Sequence, residues 1–236
     1  MSEIIPLSVW RAHIINCFLL RGSQGYILVD TGLPGSDKSI LEQITSLGID
    51  PKEIKLIIIT HCHVDHYGSA AKLKKLLQVP VLGHALDLPY YQTGGTNKET
   101  LRPTKWHWKF LRRRIIDLKL PPVELDIVMG GSASYDLQPW GLAGRIIPTP
   151  GHTPGSLSVV LDNGEAIIMD MMSTGVFMGG IFWHRRVKHP AFHHDLDQLR
   201  QSFDRLLAEN IHRFYLGHGK PANRQQVERY YHRYLS

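Results

Sequence analysis

Residues 54 to 68, Ile-Lys-Leu-Ile-Ile-Ile-Thr-His-Cys-His-Val-Asp-His-Tyr-Gly, constrain this chain more than any other stretch. Ile54 to Ile59 is a largely β-branched run too short for a typical helix. It predicts a strand buried on both faces. The run stops abruptly at Thr60, His61, His63, Asp65 and His66. In an extended segment residues i and i+2 point the same way, so His61 and His63 can reach one point. Asp65 and His66 follow where the chain turns toward a helix, and they can reach a second point nearby. Three imidazoles and a carboxylate within six residues are ligands for a borderline divalent cation such as zinc. A lone histidine is usually structural. A polar cluster of this density at the end of a buried strand needs partners, and a metal supplies them. Strand alternation turns Cys62 away from His61 and His63, so it reads as a packing residue.

A chain of 236 residues is long enough to bury a substantial core as one domain. Hydrophobic content of 43% and charged content of 20% are ordinary for a soluble globular protein. The net charge of +6 favours acidic partners without establishing nucleic-acid binding. The N-terminus lacks a basic segment followed by an apolar run and a cleavage site, so no secretory signal is expected. No run of about 20 apolar residues occurs, so no transmembrane helix is expected. The only cysteines are Cys17 and Cys62, which argues against a disulfide framework and for a cytoplasmic protein.

Residues 13–20 and 25–30 read as a hairpin whose second strand ends in Val29-Asp30-Thr31-Gly32. Asp30 can accept backbone N–H bonds at that turn, or orient a nearby ligand. Ser36 to Leu47 reads as a helix with Ile40, Leu41, Ile44 and Leu47 on one face, stopped by Gly48. A second helix is expected over 68–78, with Ala71, Leu73, Leu76 and Leu77 partly inward. A short strand over 79–83 follows, leading to His84, read as a structural or rim residue.

Residues 87–122 depart from this rhythm. They hold Lys105-Trp-His-Trp-Lys-Phe-Leu-Arg-Arg-Arg114. On a helix Lys105, Lys109, Arg112 and Arg113 share one face, and Trp108, Leu111 and Ile115 share another. Three readings stand: a solvated surface helix, a cap over the metal cleft, and a contact with anionic lipid or nucleic acid. Further on, Pro150, Gly151, Pro154 and Gly155 make a rigid turn that presents His152. Glu165-Ala-Ile-Ile-Met-Asp170 reads as a strand ending in Asp. It echoes Gly25-Tyr-Ile-Leu-Val-Asp30 and suggests two similar halves. The loop over 173–194 carries Phe177, Phe182, Trp183, His184, His189, His193 and His194, none of which is assigned to metal. Asp195 opens a helix with Leu196, Leu199, Phe203, Leu206 and Leu207 as its inner face. A last strand over 213–216 ends in Gly217-His218-Gly219, where glycine permits close backbone approach. Residues 223–235 close the chain as a helix.

The His61-x-His63-x-Asp65-His66 stretch, Asp30-Thr31-Gly32, the Gly151-His152-Thr153-Pro154-Gly155 turn, Asp170 and His218 together resemble the signature of the metallo-β-lactamase-fold superfamily. The resemblance spans nearly the whole chain. It implies an α/β fold, a four-layer αβ/βα sandwich of two mixed sheets with helices outside. It implies one domain over 1–236, in which 87–122 is a possible cap insertion. It implies two divalent ions, zinc by default, with iron and manganese accepting similar ligands. His61, His63 and His152 would hold one ion. Asp65, His66 and His218 would hold the other, with Asp170 bridging and Asp30 supporting the motif. The implied reaction is hydrolysis by a hydroxide bridging the two metals, which Asp65 helps to orient.

The expected substrate is a small-molecule ester, lactone or thioester. True β-lactamases of this fold generally lack a bridging Asp like Asp170 and are exported. Glyoxalase II-type thioesterases share the ligands but carry a C-terminal segment, for which the roughly 18 residues after His218 leave no room. Ribonuclease Z-like enzymes usually have Gly where this chain has Val64, and a long RNA-binding arm. Electron-transfer members with iron commonly have Glu where this chain has His63. A phosphodiesterase or nuclease stays open on the strength of 105–114 alone. A non-enzymatic metal-binding member of the fold would be marked by a damaged ligand set, and this set is intact.

Overall fold

The computed structural model describes residues 3–10, 13–116, 118–176, 182, 183 and 185–236, the side chains of 111, 114 and 116 excepted. Phe177, His184 and the side chains of Leu111 and Arg114 therefore lie outside the described residues. The chain opens with β1 (Glu3–Trp10), β2 (Ile15–Gly22), β3 (Gly25–Val29), α1 (Asp37–Ser46), β4 (Ile54–Ile58), α2 (Val64–Tyr67), α3 (Ala70–Leu77) and β5 (Val81–His84). Next come α4 (Leu88–Thr93), β6 (Arg102–Pro103), α5 (Trp108–Ile116) and β7 (Ile127–Met129). The second part contains β8 (Tyr135–Asp136), β9 (Gly144–Pro148), β10 (Leu157–Leu161), β11 (Glu165–Ile167), β12 (Ser173–Thr174), β13 (Val187–Lys188) and β14 (Phe192–His193). It ends with α6 (Leu196–Leu207), β15 (Arg213–Tyr215), β16 (Ala222–Asn223) and α7 (Arg224–Tyr234).

Two six-stranded sheets result, in the orders β1-β2-β3-β4-β5-β7 and β16-β15-β11-β10-β9-β8. Both mix antiparallel hairpins with parallel pairs: β3 with β4 in one, β11 with β15 in the other. Strand alternation sorts the side chains into layers. Phe18, Leu20, Ile27, Val29, Leu56 and Ile58 face inward and meet Ile146, Leu157, Val159 and Leu161 of the other sheet. Leu19, Leu28, Ile57 and Ile59 face outward onto Ile40 and Ile44 of α1 and Leu73 of α3. On the far side, Val160, Ala166 and Phe214 meet Leu199 and Phe203 of α6 and Val227 and Tyr230 of α7. The architecture is thus the expected four-layer αβ/βα sandwich. Truncating a central residue such as Leu56→Ala would cost about 2–5 kcal/mol.

Several local expectations need correction. β1 carries no signal that the sequence reading used. It is an edge strand, which is why Pro6, lacking an N–H, is tolerated in it. The strand expected to run to Asp170 stops at Ile167, because Met169 adopts φ +42° and the chain makes a short 3₁₀ turn over Met169–Met171. Leu47, Leu76 and Leu196 are exposed rather than inward. Leu47 lies past the last residue of α1, where the helical face no longer constrains it. Helix α5 begins at Trp108, so Lys105 precedes it and shares no helical face with Arg112. The segment before α5 is also paired. β6 runs antiparallel to β14, with Pro103 opposite Phe192 and Arg102 opposite His193.

Candidate metal centre

The parallel strands β4 and β15 both end at the same rim of the sandwich, where four loops converge. The loop after β4 turns into α2 at His63, whose backbone is still extended at φ −84°, ψ 146°. His61 and His63 are therefore delivered by the extended stretch, and Asp65 and His66 by the first turn of α2. The 149–156 turn brings His152, the 3₁₀ turn after β11 brings Asp170, and the loop after β15 brings His218. Two groups of donor atoms form. His61, His63 and His152 lie within 4.8 Å of one another, and so do Asp65, His66 and His218. Asp170 lies between them: its Oδ2 is 3.6 Å from His152 Nε2, 3.5 Å from His66 Nε2 and 3.1 Å from His218 Nε2.

Each imidazole but one is held from behind. His61 Nδ1 donates to Thr60 Oγ1 at 3.1 Å, since that hydroxyl is already donating to Asp30 Oδ2 at 2.7 Å. His66 Nδ1 donates to Asp30 Oδ2 at 2.7 Å, and His218 Nδ1 to the carbonyl of Ile14. His63 is turned the other way. Its Nε2 donates to Thr100 Oγ1 at 2.8 Å, and that hydroxyl donates to Asn97 O at 2.7 Å. His152 is the exception: its Nδ1 has no hydrogen-bond partner among the described residues. The opposite nitrogens all face the centre, with His63 Nδ1 only 2.9 Å from His152 Nε2. A second hydrogen bond that fixes tautomer and ring orientation is the usual arrangement behind a metal-binding histidine.

Among the described residues, His61 Nε2, His66 Nε2 and Asp170 Oδ1 are buried without any hydrogen-bond partner. Leaving such atoms unsatisfied costs about 1–3 kcal/mol each, and a cation would satisfy all three. The donor set thus fits divalent metal. Glycine makes the convergence possible, because a Cβ on Gly217 would collide with Asp170 Oδ1 and with the His66 ring.

Charge divides the two groups. Burial, with the neighbouring imidazoles, holds His61 and His152 well below the usual histidine range. Burial likewise takes His63 to about 4, against the pull of Asp65 and Asp170. These three are neutral bases with lone pairs ready for a cation. For His66 and His218 burial acts the same way, but the carboxylates outweigh it. Asp170, Asp65 and Asp30 raise His66, and Asp170 with Asp65 raises His218 to about 10. Burial would raise Asp65 and Asp170, yet His66 and His218 hold both below the ordinary carboxylate range. In the second group a metal would therefore displace protons.

Asp30 also belongs to a third set of close donor atoms, with His61 and His66. Its oxygens are already engaged: Oδ1 accepts from Thr60 N at 2.8 Å, and Oδ2 from Thr60 Oγ1 and His66 Nδ1. His84 is buried away from the centre, accepting from Leu86 N. His189 packs under Tyr230, hydrogen-bonded to its hydroxyl at 2.7 Å. Among the described residues, neither His193 nor His194 belongs to a group of donor atoms that could hold an ion. Cys62 is buried in the outer core, as strand alternation predicts, and burial raises its thiol pKa.

Two residues escaped the sequence reading. Thr100, described above, comes from the irregular 87–122 segment. Asp87 is fully buried and ties two ligand loops together. Its Oδ2 accepts from Cys62 N at 2.9 Å and Thr153 Oγ1 at 2.8 Å, and its Oδ1 from Gly155 N at 3.1 Å. Burial raises its pKa, while these three donors favour the carboxylate. Neither residue sits in a local pattern, so no sequence signal marks it. Over the centre lies a narrow pocket, walled by Val64, Leu101, Ile115, Ala191 and Phe192 beside the His and Asp side chains.

The family model described as "Metallo-beta-lactamase superfamily" matches residues 10–218. The chain is 29% identical over 215 residues to "Probable metallo-hydrolase MJ0888" of Methanocaldococcus jannaschii, covering 89% of each chain. It is 25% identical over 188 residues to "N-acyl homoserine lactonase" of a Bacillus species, covering 70% of this chain and 62% of that protein. Several of the curated relatives it matches are spanned over about three fifths of their length. The solved structure of TTHA1429, a metallo-beta-lactamase family protein of Thermus thermophilus, superposes with a TM-score of 0.66 at 20% identity, covering 97% of this chain and 77% of that one. A family match over most of the chain, on a fold and a donor set of this kind, leads to one conclusion: the chain belongs to the metallo-beta-lactamase superfamily.

Proposed function

We propose that this protein is a dinuclear metal-dependent hydrolase of a small-molecule ester, lactone or thioester. The observation that carries the reading is the convergence of seven His and Asp side chains, where His61 Nε2, His66 Nε2 and Asp170 Oδ1 are buried with no hydrogen-bond partner among the described residues. His61, His63 and His152 would hold one ion, and Asp65, His66 and His218 the other, with Asp170 shared. Zinc is the default for so histidine-rich a set with few carboxylates, and iron or manganese would also fit. Two such ions, when bound, supply an acidified water and a Lewis acid for the carbonyl and the leaving oxygen or sulfur.

The chain's own residues do the remaining work. Asp65, whose Oδ2 is 3.4 Å from His218 Nε2, would accept and orient a proton at the centre. Asp30, Thr60, Thr100 and the Ile14 carbonyl keep the imidazoles in the required tautomers. Leu101 and Ile115 belong to the 87–122 segment and wall the approach, which supports the cap among the three readings of that segment. The apolar walls suit an acyl group. The whole chain, 1–236, acts as one domain on this reading, and its two buried, unpaired cysteines suit the cytoplasm. The lactonase relative supports the lactone among the three substrate classes.

Elemental analysis of the untagged protein, paired with a panel of lactone, thioester, phosphodiester and β-lactam substrates, tests the proposal. The expected result is about two metals per chain and turnover of a lactone or a thioester. Absence of stoichiometric metal after reconstitution would overturn the dinuclear reading. Turnover confined to phosphodiesters or β-lactams would overturn the substrate class.

A further inference from the structure

The charge of this protein is concentrated in two segments. Residues 98–119 hold eight Lys and Arg against Glu99 and Asp117, and residues 182–188 hold three against none. These 29 positions account for 11 of the 27 basic residues and two of the 21 acidic ones. The rest of the chain carries 16 basic against 19 acidic residues, so the whole positive excess lies here.

The fold brings the two segments together. β6 pairs with β14, and Thr104 N donates to Ala191 O at 3.0 Å. β13 pairs with β12, and just before β13 Arg186 N donates to Trp183 O at 2.8 Å. Burial, with smaller contributions from the charges of Lys105 and Arg186, takes Lys188 down to about 8. None of Lys105, Lys109, Arg113, Arg185 and Arg186 is in an ion pair among the described residues. Large apolar side chains protrude among them: Trp106 is 82% exposed, Trp183 71%, and Phe110 and Phe182 67% each. Ordinary surfaces neither expose four aromatics in one region nor gather like charges around them.

We propose that this face seats the protein on the surface of a membrane rich in anionic phospholipid. The rings would enter the boundary between headgroups and acyl chains while Lys and Arg meet the phosphates. Each Lys or Arg near such a surface contributes about 1 kcal/mol, so a face with this many cations needs no lipid anchor. No described helix is long and apolar enough to cross a membrane, so the contact is peripheral. Charge alone would also suit a polynucleotide. The apolar rings decide for lipid: four large aromatic side chains stand 67–82% exposed beside the cations, and the boundary of headgroups and acyl chains would bury them. Helix α5, which carries Phe110 outward, also walls the pocket over the centre through Ile115. The inference stands on the surface alone and does not need the hydrolase reading.

The test is co-sedimentation of the metal-loaded protein with phosphatidylcholine vesicles, with and without about 30% phosphatidylglycerol. Binding is expected to the anionic vesicles only, and to weaken as salt rises from about 0.1 M to about 1 M. The pair Lys109→Glu and Arg113→Glu should lower the partition coefficient at least about tenfold. The pair Trp106→Ala and Trp183→Ala should lower it while leaving its salt dependence unchanged. A circular dichroism spectrum and a melting temperature equal to the parent's show that each variant is folded. No partition at low salt, or equal partition to neutral vesicles, would overturn the proposal. So would tight binding of a mixed-sequence oligonucleotide, or a dimer abolished by the same charge reversals, in place of vesicle binding.

Discussion

The two halves of the sandwich share one frame and use it differently. In the first, the hairpin β2–β3 is followed by α1 and then by β4, parallel to β3. In the second, the hairpin β10–β11 is followed, after an excursion, by α6 and then by β15, parallel to β11. Each middle strand leads to an aspartate at or beside a left-handed residue, Asp30 at φ +61° and Met169 at φ +42° before Asp170. The fates of those carboxylates diverge. Asp30 is saturated by Thr60 and His66. Asp170 keeps Oδ1 without a hydrogen-bond partner and aims Oδ2 at imidazoles from both donor groups. The frame places an acid at the rim. The donors around it decide whether its oxygens are saturated or left open toward the imidazoles.

That contrast can be broken by experiment. Asp170→Asn should have the largest effect, with turnover falling by more than about 100-fold and metal content dropping below two per chain. Elemental analysis beside steady-state kinetics would show it, and full metal content with normal turnover would remove Asp170 from the centre. Asp30→Asn should cost less, about 10–100-fold in affinity for the ion held by His66, with a smaller loss at the other ion, whose His61 Asp30 reaches only through Thr60. Competition with a chelator measures both. Equal losses in the two variants would mean that the halves are not distinguished in the way described.

Asp87→Asn sharpens the comparison by cutting the tie between a loop of the first half and a loop of the second. An amide placed among three donors leaves at least one unsatisfied and should destabilise the fold by about 1–3 kcal/mol. Chemical denaturation reads that loss, and titration should place the loss of metal affinity at the His61, His63 and His152 ion. The smallest effect is expected from Thr100→Val, which lies outside the repeated frame. It removes one hydrogen bond to His63, worth about 1 kcal/mol, and should lower metal affinity several-fold with little change in stability. No change at all would mean that His63 is held by packing alone.

The sequence by itself determined a good deal. A buried β-branched strand running into His61, His63, Asp65 and His66 is a local pattern, and so is the Pro/Gly turn around His152. The hydrophobic period of α6 and the hairpin of β2 and β3 are equally local. Such patterns are legible because strand alternation, helix periodicity and turn chemistry act over a few residues. The tertiary structure alone decided the rest. It pairs β6 with β14, stops β11 at Ile167 and presents Asp170 on a 3₁₀ turn. It brings Thr100 onto His63 and Asp87 between Cys62 and Gly155. These are contacts across tens of residues, in which a hydroxyl or a carboxylate is chosen by the donors that folding brings to it. A single side chain in an irregular segment carries no periodicity, so its partner exists only once both sheets have closed around the centre.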